Sequence, residues 1–416
     1  MRKRKPGDLR VALFPDSYAE IDGVATVSRN LEAFAKKRDL QFLTIHAGPC
    51  EQIMNSGSVT KVQLPRGRFT FPLDRAHRYD LAFWRHYHQV LRMVQDFAPD
   101  VIQITGPSDV GMLGALIAHK LSVPLAAFWE TNLHQYGRCR LSAALSRFPS
   151  FLTTKFLNKT EAWILRAAMR YYRIPQLLFA PNHEMVALLR RLTGKSCFLM
   201  PHGVDNQTFN PKFRTSEGAP FTIGYVGRLT AEKNVRLLAQ IEKALFSHGH
   251  RDFRIVVVGE GPETTWLQKN MRNALFTGVL SGPDLSQAFA NMDLFVFPSE
   301  TDTFGLVVLE AHASGVPAIV SSVGGPRNII RHGETGYVAE NFEDFVGFTE
   351  TFLLQPQLRQ SMGKAARTDA FSSSWEGIFE GVYKCYGQLY SEAKPFLLME
   401  SPKPQHAAFA VPGVAK

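Results

Sequence analysis

Short apolar runs alternate with amphipathic stretches along almost the whole chain. Residues 10–14, 41–45, 101–104, 221–226, 254–258 and 294–297 are β-rich apolar runs. They are separated by stretches whose apolar positions have helical spacing. This alternation predicts βαβ units with buried parallel strands. The pattern restarts near Phe221, after turn-rich stretches at 201–206 and 211–220. Two doubly wound α/β domains are therefore expected, over residues 1–200 and 201–374. Residues 375–395 have the spacing of one or two helices, expected to pack back toward the first domain, and the Pro- and Ala-rich 396–416 are expected to fray. Doubly wound sheets bind ligands beyond the carboxyl ends of their strands, so two facing sheets would make an interdomain cleft.

Composition narrows the classes. The chain has 416 residues, 45% hydrophobic, with 31 Phe, which excludes a mainly disordered protein. No 18-residue stretch is free of charges or breakers, so no membrane-spanning helix is expected. After Arg2–Lys5 only residues 11–14 are apolar before Pro15, too short for a signal-peptide core, and a cytoplasmic location is expected. Cys50, Cys139, Cys197 and Cys385 form no C-x-x-C pair, which argues against a disulfide framework or a zinc site.

The net charge of +10 is uneven: residues 1–200 carry +13 and residues 201–416 carry −3. Over a helix at about 100° per residue, Lys155, Lys159, Arg166, Arg170 and Arg173 fall within about 60° of one another, opposite Leu157, Ile164, Ala168 and Tyr171. In the stretch 75–97, Arg78, Arg85 and Arg92 recur every seven residues, opposite Phe83, Tyr87, Val90 and Val94. Two outward basic stripes in one domain point to an anionic surface. No zinc spacing, aromatic RNA platform or helix-turn-helix pattern accompanies them, which disfavours nucleic acid and leaves the inner face of a membrane.

The chemistry concentrates in the second domain. At 297–317 a strand ends at Pro298, an acidic loop follows, and a helix is expected from near Phe304 to Gly315. Its free N–H groups would suit a phosphate. Asp302 in the loop and Glu310 eight residues later could hold a ribose diol and a sugar, or could serve only as a cap and a surface ion pair. At 223–234 a strand runs into Gly227 and Arg228, with Lys233 five residues on, two cations able to neutralise a diphosphate. No G-x-G-x-x-G follows either domain's first strand, which disfavours a dinucleotide oxidoreductase.

Taken in order, Gly227-Arg228 with Lys233, Gly259-Glu-Gly-Pro262, Asp293-Leu-Phe-Val-Phe-Pro-Ser299 and Phe304-Gly-Leu-Val-Val-Leu-Glu-Ala311 resemble the retaining glycosyltransferases of family 4. Pro201-His-Gly-Val-Asp205 and Gly324-Gly-Pro with His332-Gly-Glu-Thr-Gly336 match turns of the same family, and the resemblance runs from about Arg10 to Tyr390. It implies a GT-B fold and transfer of a mannose- or glucose-type sugar from a GDP- or UDP-linked donor, without a metal or other cofactor. By the same resemblance Arg228 and Lys233 hold the diphosphate and Glu310 the ribose. Asp302 holds the donor sugar with backbone N–H groups at Phe304, Gly305 and Leu306, and Gly23 lies in the glycine loop near the donor phosphate. Asp293 matches a structural position.

One position departs from the family. In Trp129-Glu130-Thr131-Asn132-Leu133-His134 the family's catalytic His position is Glu130. Imidazole can donate a hydrogen bond to the sugar, whereas ionised Glu only accepts. Either Glu130 contacts a sugar hydroxyl, or His134 replaces the missing group, or activity is reduced. The leading expectation is a lipid or lipid-linked acceptor at the cytoplasmic membrane face. A soluble glycan acceptor, or a nucleotide-sugar-binding homologue without transfer, are the alternatives.

Overall fold

The computed structural model describes residues 8–20, 22–72, 78–130, 150–215 and 220–399. The first half contains strands β1 (Val11–Phe14), β2 (Phe42–Gly48), β3 (Gln52–Ser56), β4 (Val59–Pro65), β5 (Thr70–Pro72), β6 (Arg78–Asp80), β7 (Val101–Ile104), β8 (Leu125–Phe128), β9 (Leu177–Ala180) and β10 (Ser196–Leu199). Its helices are α1 (Gly23–Lys37), α2 (Tyr87–Phe97), α3 (Asp109–Leu121), α4 (Ser150–Tyr171) and α5 (His183–Thr193). Eight strands form one sheet in the order β10-β9-β8-β7-β1-β2-β4-β3, parallel except at the β3–β4 edge. β5 and β6 form a separate antiparallel hairpin.

The second half contains β11 (Phe221–Val226), α6 (Arg236–Ser247), β12 (Phe253–Val258), α7 (Thr264–Asn270), β13 (Ala274–Gly278), α8 (Gly282–Ala290), β14 (Leu294–Phe297), α9 (Leu306–Ala313), β15 (Ala318–Ser321), β16 (Gly336–Ala339), α10 (Phe342–Leu354) and α11 (Pro356–Ser372). Its six strands are all parallel, in the order β13-β12-β11-β14-β15-β16. Strands β1, β7, β8, β11 and β14 are buried at every position, so apolar residues on both faces are required and the runs read as unbroken hydrophobic stretches.

The last helix, α12 (Trp375–Met399), returns to the first half. Phe379, Val382, Tyr383, Tyr386 and Leu389 share a core with Leu31 and Phe34 of α1, and the buried Tyr386 hydroxyl donates to Gln103 at 2.8 Å. The two chain crossings lie side by side, since Val204 N donates to Ser373 O at 2.9 Å. Among the described residues, no helix is long and apolar enough to cross a membrane.

Two expectations about basic stripes need correction. Arg78 lies in β6, Arg85 in a 3-10 turn and Arg92 in α2, so the seven-residue spacing runs across three elements and makes no single face. Arg85 is bound within the fold: its Nη1 donates to buried Asp80 at 2.6 Å and its Nη2 to Pro65 O at 2.5 Å. Arg173 stands beyond the end of α4, and its guanidinium donates to Leu192 O at 2.9 Å, tying α4 to α5 rather than extending the stripe. Lys159, Arg166 and Arg170 are on α4 and exposed, and Lys155 is on the same helix.

Candidate active site

The loop between β14 and α9 carries the acidic residues, and its shape depends on close backbone packing. Gly325 N donates to Asp302 O at 2.7 Å. A Cβ at Gly325 would stand 1.9 Å from Thr303 O, so only glycine lets the turn after β15 support the loop. Gly305 then adopts φ 94° and admits the chain into α9, which begins at Leu306. The helix therefore starts two residues after Phe304, because the left-handed turn at Gly305 comes first.

Lys233 ends a 3-10 turn after β11 and is buried. Its Nζ lies 2.6 Å from Asp302 Oδ1, so the diphosphate and sugar candidates already touch. Asp302 Oδ2 has no hydrogen-bond partner among the described residues. Thr301 Oγ1 donates to Glu232 O at 3.3 Å, which holds the loop against the same turn. Arg228 follows Gly227 at the carboxyl end of β11 and is half-buried. The turn of Gly259 packs on it so closely that a Cβ there would stand 2.0 Å from Gly227 O. Glu310 lies in α9, where burial pushes its carboxyl up to about 7. A neutral carboxyl there can donate one hydrogen bond, and an ionised one can accept two from a diol.

The first half meets this site at three places. Asp22 caps α1 by accepting from Ala25 N at 2.8 Å. Gly23 then faces Leu306, whose Cδ1 would stand 3.7 Å from a Cβ at Gly23, an ordinary contact. Thr303 Oγ1 donates to Glu130 O at 2.7 Å, and Asn182 Nδ2 donates to Thr303 O at 2.9 Å. The carboxyl ends of the two sheets thus face each other across the loop that carries Asp302.

Arg228, Lys233, Asp302, Phe304, Gly305, Leu306, Glu310 and Gly23 therefore belong to one region. Glu130 also borders it, but its buried carboxylate is turned to His202, with Nε2 and Oε2 3.0 Å apart. His134 lies outside the described residues. Asp293 is occupied structurally, accepting from Thr222 N at 2.9 Å and pairing with Arg214 at 2.9 Å. Asn182, Thr303 and His202 also border this region, through contacts between segments far apart in the chain. Only His202 had a signal, through its place in the Pro201–Asp205 turn. Asp16, just beyond β1, is half-buried, and desolvation pushes its carboxyl up to about 6.

The family described as glycosyl transferases group 1 matches residues 206–369. The chain is 30% identical over 297 residues to a GDP-mannose-dependent alpha-mannosyltransferase of Corynebacterium glutamicum, covering 70% of this chain and 65% of that one. It is 30% identical over 387 residues to a sulfoquinovosyl transferase of Arabidopsis thaliana, covering 88% and 71%. Among solved structures, sucrose-phosphate synthase from Thermosynechococcus elongatus superposes with a TM-score of 0.74 at 17% identity, over 92% of this chain and 100% of that one. With two facing Rossmann-like halves and paired cation and carboxylate at their junction, the protein is a glycosyltransferase of the GT-B fold and belongs to the glycosyl transferases group 1 family.

Proposed function

We propose that the protein is a retaining, metal-independent hexosyltransferase, moving a mannose- or glucose-type sugar from a nucleotide diphosphate to a lipid or lipid-linked acceptor at the cytoplasmic face of a membrane. The observation that carries the donor side is the Lys233–Asp302 pair at 2.6 Å beside Arg228 and the start of α9. When the glycosidic bond to the diphosphate breaks, negative charge grows on the departing phosphate. Arg228, Lys233 and the positive end of α9 oppose that charge without a metal. Asp302 keeps an oxygen for a sugar hydroxyl, and Glu310 accepts the ribose diol once ionised. GDP-mannose is the donor named for the corynebacterial relative, and it is the first donor to try.

The acceptor side is supported by α4. Lys159, Arg166 and Arg170 are exposed there, and Phe156 and Trp163 stand among them, 54% and 67% exposed. These five positions follow one another at spacings of three or four residues, so they share one helix face. An aromatic side chain sits well at the headgroup level of a bilayer, and each nearby cation adds about 1 kcal/mol of attraction to an anionic leaflet.

The test is a panel of GDP- and UDP-sugars incubated with total membrane lipid, with and without EDTA, read by product mass and released nucleotide. Transfer to lipid that persists in EDTA is expected. Product formed only on soluble glycan, or strict metal dependence, overturns the reading. Sedimentation with anionic vesicles at low salt should be lost when Lys159, Arg166 and Arg170 are changed together to Glu.

A further inference from the structure

Glu130 stands where the resembling family has imidazole, and the structure brings an imidazole to it from elsewhere in the chain. His202 belongs to the segment that joins the two halves, and its Nε2 is 3.0 Å from Glu130 Oε2 with both side chains buried. The His202 ring packs against Phe304 at 4.6 Å between centroids and against Trp375, at the start of α12, at 6.0 Å. Through its main-chain carbonyl Glu130 also accepts from Thr303, and Asn182 donates to the carbonyl of Thr303. Thr303 and Phe304 directly follow Asp302. Two residues of the first half, Glu130 and Asn182, and His202 of the joining segment therefore converge on the two positions that follow Asp302.

A buried carboxylate is destabilising without a polar partner, and among the described residues His202 is the group that approaches the Glu130 carboxylate within ion-pair distance. The pair is not a settled piece of core. Glu130 Oε1 and both ring nitrogens of His202 lack hydrogen-bond partners among the described residues, so the 3.0 Å approach of Nε2 to Oε2 is a close polar contact and not an aligned hydrogen bond, and unsatisfied buried polar atoms are rare unless strain or function keeps them.

We propose that Glu130 and His202 form an interdomain dyad, in which position 202 supplies the imidazole absent from position 130 and the pair holds the Asp302 loop in its sugar-binding position. Both are positioning residues, and the proposal rests on the donor-site reading above. The perturbation is a cycle in the full chain: Glu130→Gln, His202→Asn, both together, and the exchange Glu130→His with His202→Glu.

Calorimetry with free GDP and UDP, and with GDP-mannose and UDP-glucose, reads the nucleotide and sugar parts separately. Free-nucleotide affinity should hold within about twofold, while nucleotide-sugar affinity falls about tenfold to a hundredfold, the scale of a roughly 1 Å misplacement in a site. The double variant should be no worse than the weaker single variant by more than about threefold, since the two residues act as one unit. The exchange should recover most of the loss. In turnover, donor KM should rise more than kcat falls.

Additive losses, equal losses of nucleotide and nucleotide-sugar affinity, or an exchange that recovers nothing would overturn the dyad. The same non-additivity is expected in the unfolding midpoint, which needs no ligand. An unaltered chain that binds no nucleotide sugar refutes the donor reading instead, and the unfolding cycle still decides the dyad.

Discussion

Replacing Asp302 by Asn should separate binding of the nucleotide from transfer of the sugar, in opposite directions. Lys233 Nζ lies 2.6 Å from Asp302 Oδ1, and the Lys233 and Asp302 side chains are 8% and 20% exposed. At that distance two unit charges attract by about 6 kcal/mol for an effective dielectric constant of ~20, before desolvation is subtracted. An incoming diphosphate must share or take over the lysine, and it meets the negative charge of Asp302 as well. Both effects oppose binding. If only about 1–2 kcal/mol of this survives, Asp302→Asn raises GDP or UDP affinity by about five- to thirtyfold. The same change removes a charged acceptor from the sugar, and hydrogen bonds to charged groups are worth about 1.5–3 kcal/mol, so transfer should fall by about ten- to a hundredfold. The assay is calorimetry with each nucleotide beside turnover of the donor found active. Lys233→Met should weaken the nucleotide instead. Nucleotide affinity that is unchanged or lower in Asp302→Asn would refute the claim that the carboxylate competes for the lysine.

Two further predictions concern the titratable groups of α9, half-buried Glu310 and buried His312. The Glu310 carboxyl is raised from 4.5 to about 7, so between those values the folded state holds a proton that the unfolded state has lost, and stability declines as pH rises through about 7. Glu310→Gln should therefore stabilise the protein by about 1–3 kcal/mol at pH 8 and change it little at pH 4.5, while weakening donor binding; equal effects at both pH values in denaturant unfolding would sink this. His312 is buried with neither ring nitrogen partnered among the described residues, and burial lowers it from 6.5 to about 4. The unfolded state binds the extra proton, so this contribution is present above pH 6.5 and is lost as pH falls toward 4. His312→Leu should flatten that acid limb by up to about 3 kcal/mol, read from unfolding midpoints across the range.

The strands were legible because parallel sheets covered on both faces leave no polar alternation to interpret, as in Val11–Phe14 and Leu294–Phe297. The proximity of Lys233 and Asp302 follows from the same pattern, since both lie in the loops that leave the carboxyl ends of adjacent strands β11 and β14. What failed depended on assuming one element where the chain has several. Arg78, Arg85 and Arg92 share a seven-residue interval, but Asp80 draws Arg85 into a turn, and nothing in a helical wheel can show that. The beginning of α9 was misjudged by two residues because the left-handed conformation of Gly305 interrupts the pattern that Phe304 seems to open. The partner of Glu130 was out of reach for a different reason. Residue 202 is in another segment, and the contact exists only because the joining segment passes between two facing sheets.

The charge imbalance also has a physical reading now. The second half carries net −3 and yet holds the proposed diphosphate site. This is no contradiction, because net charge acts over the roughly 8 Å screening length of physiological salt whereas the site acts at contact. Lys233 and Asp302 stand 2.6 Å apart and largely offset each other's charge, so the pair presents little field to solvent and any selectivity comes from placement. The exposed cations of α4 are in the opposite situation. Lys159, Arg166 and Arg170 act through solvent on a surface they do not enclose, and their attraction is the part that salt removes. On the proposed reading, the excess charge of the first half bears on where the enzyme sits, and the paired charges of the second half bear on what it binds. The two properties can be altered separately by substitution.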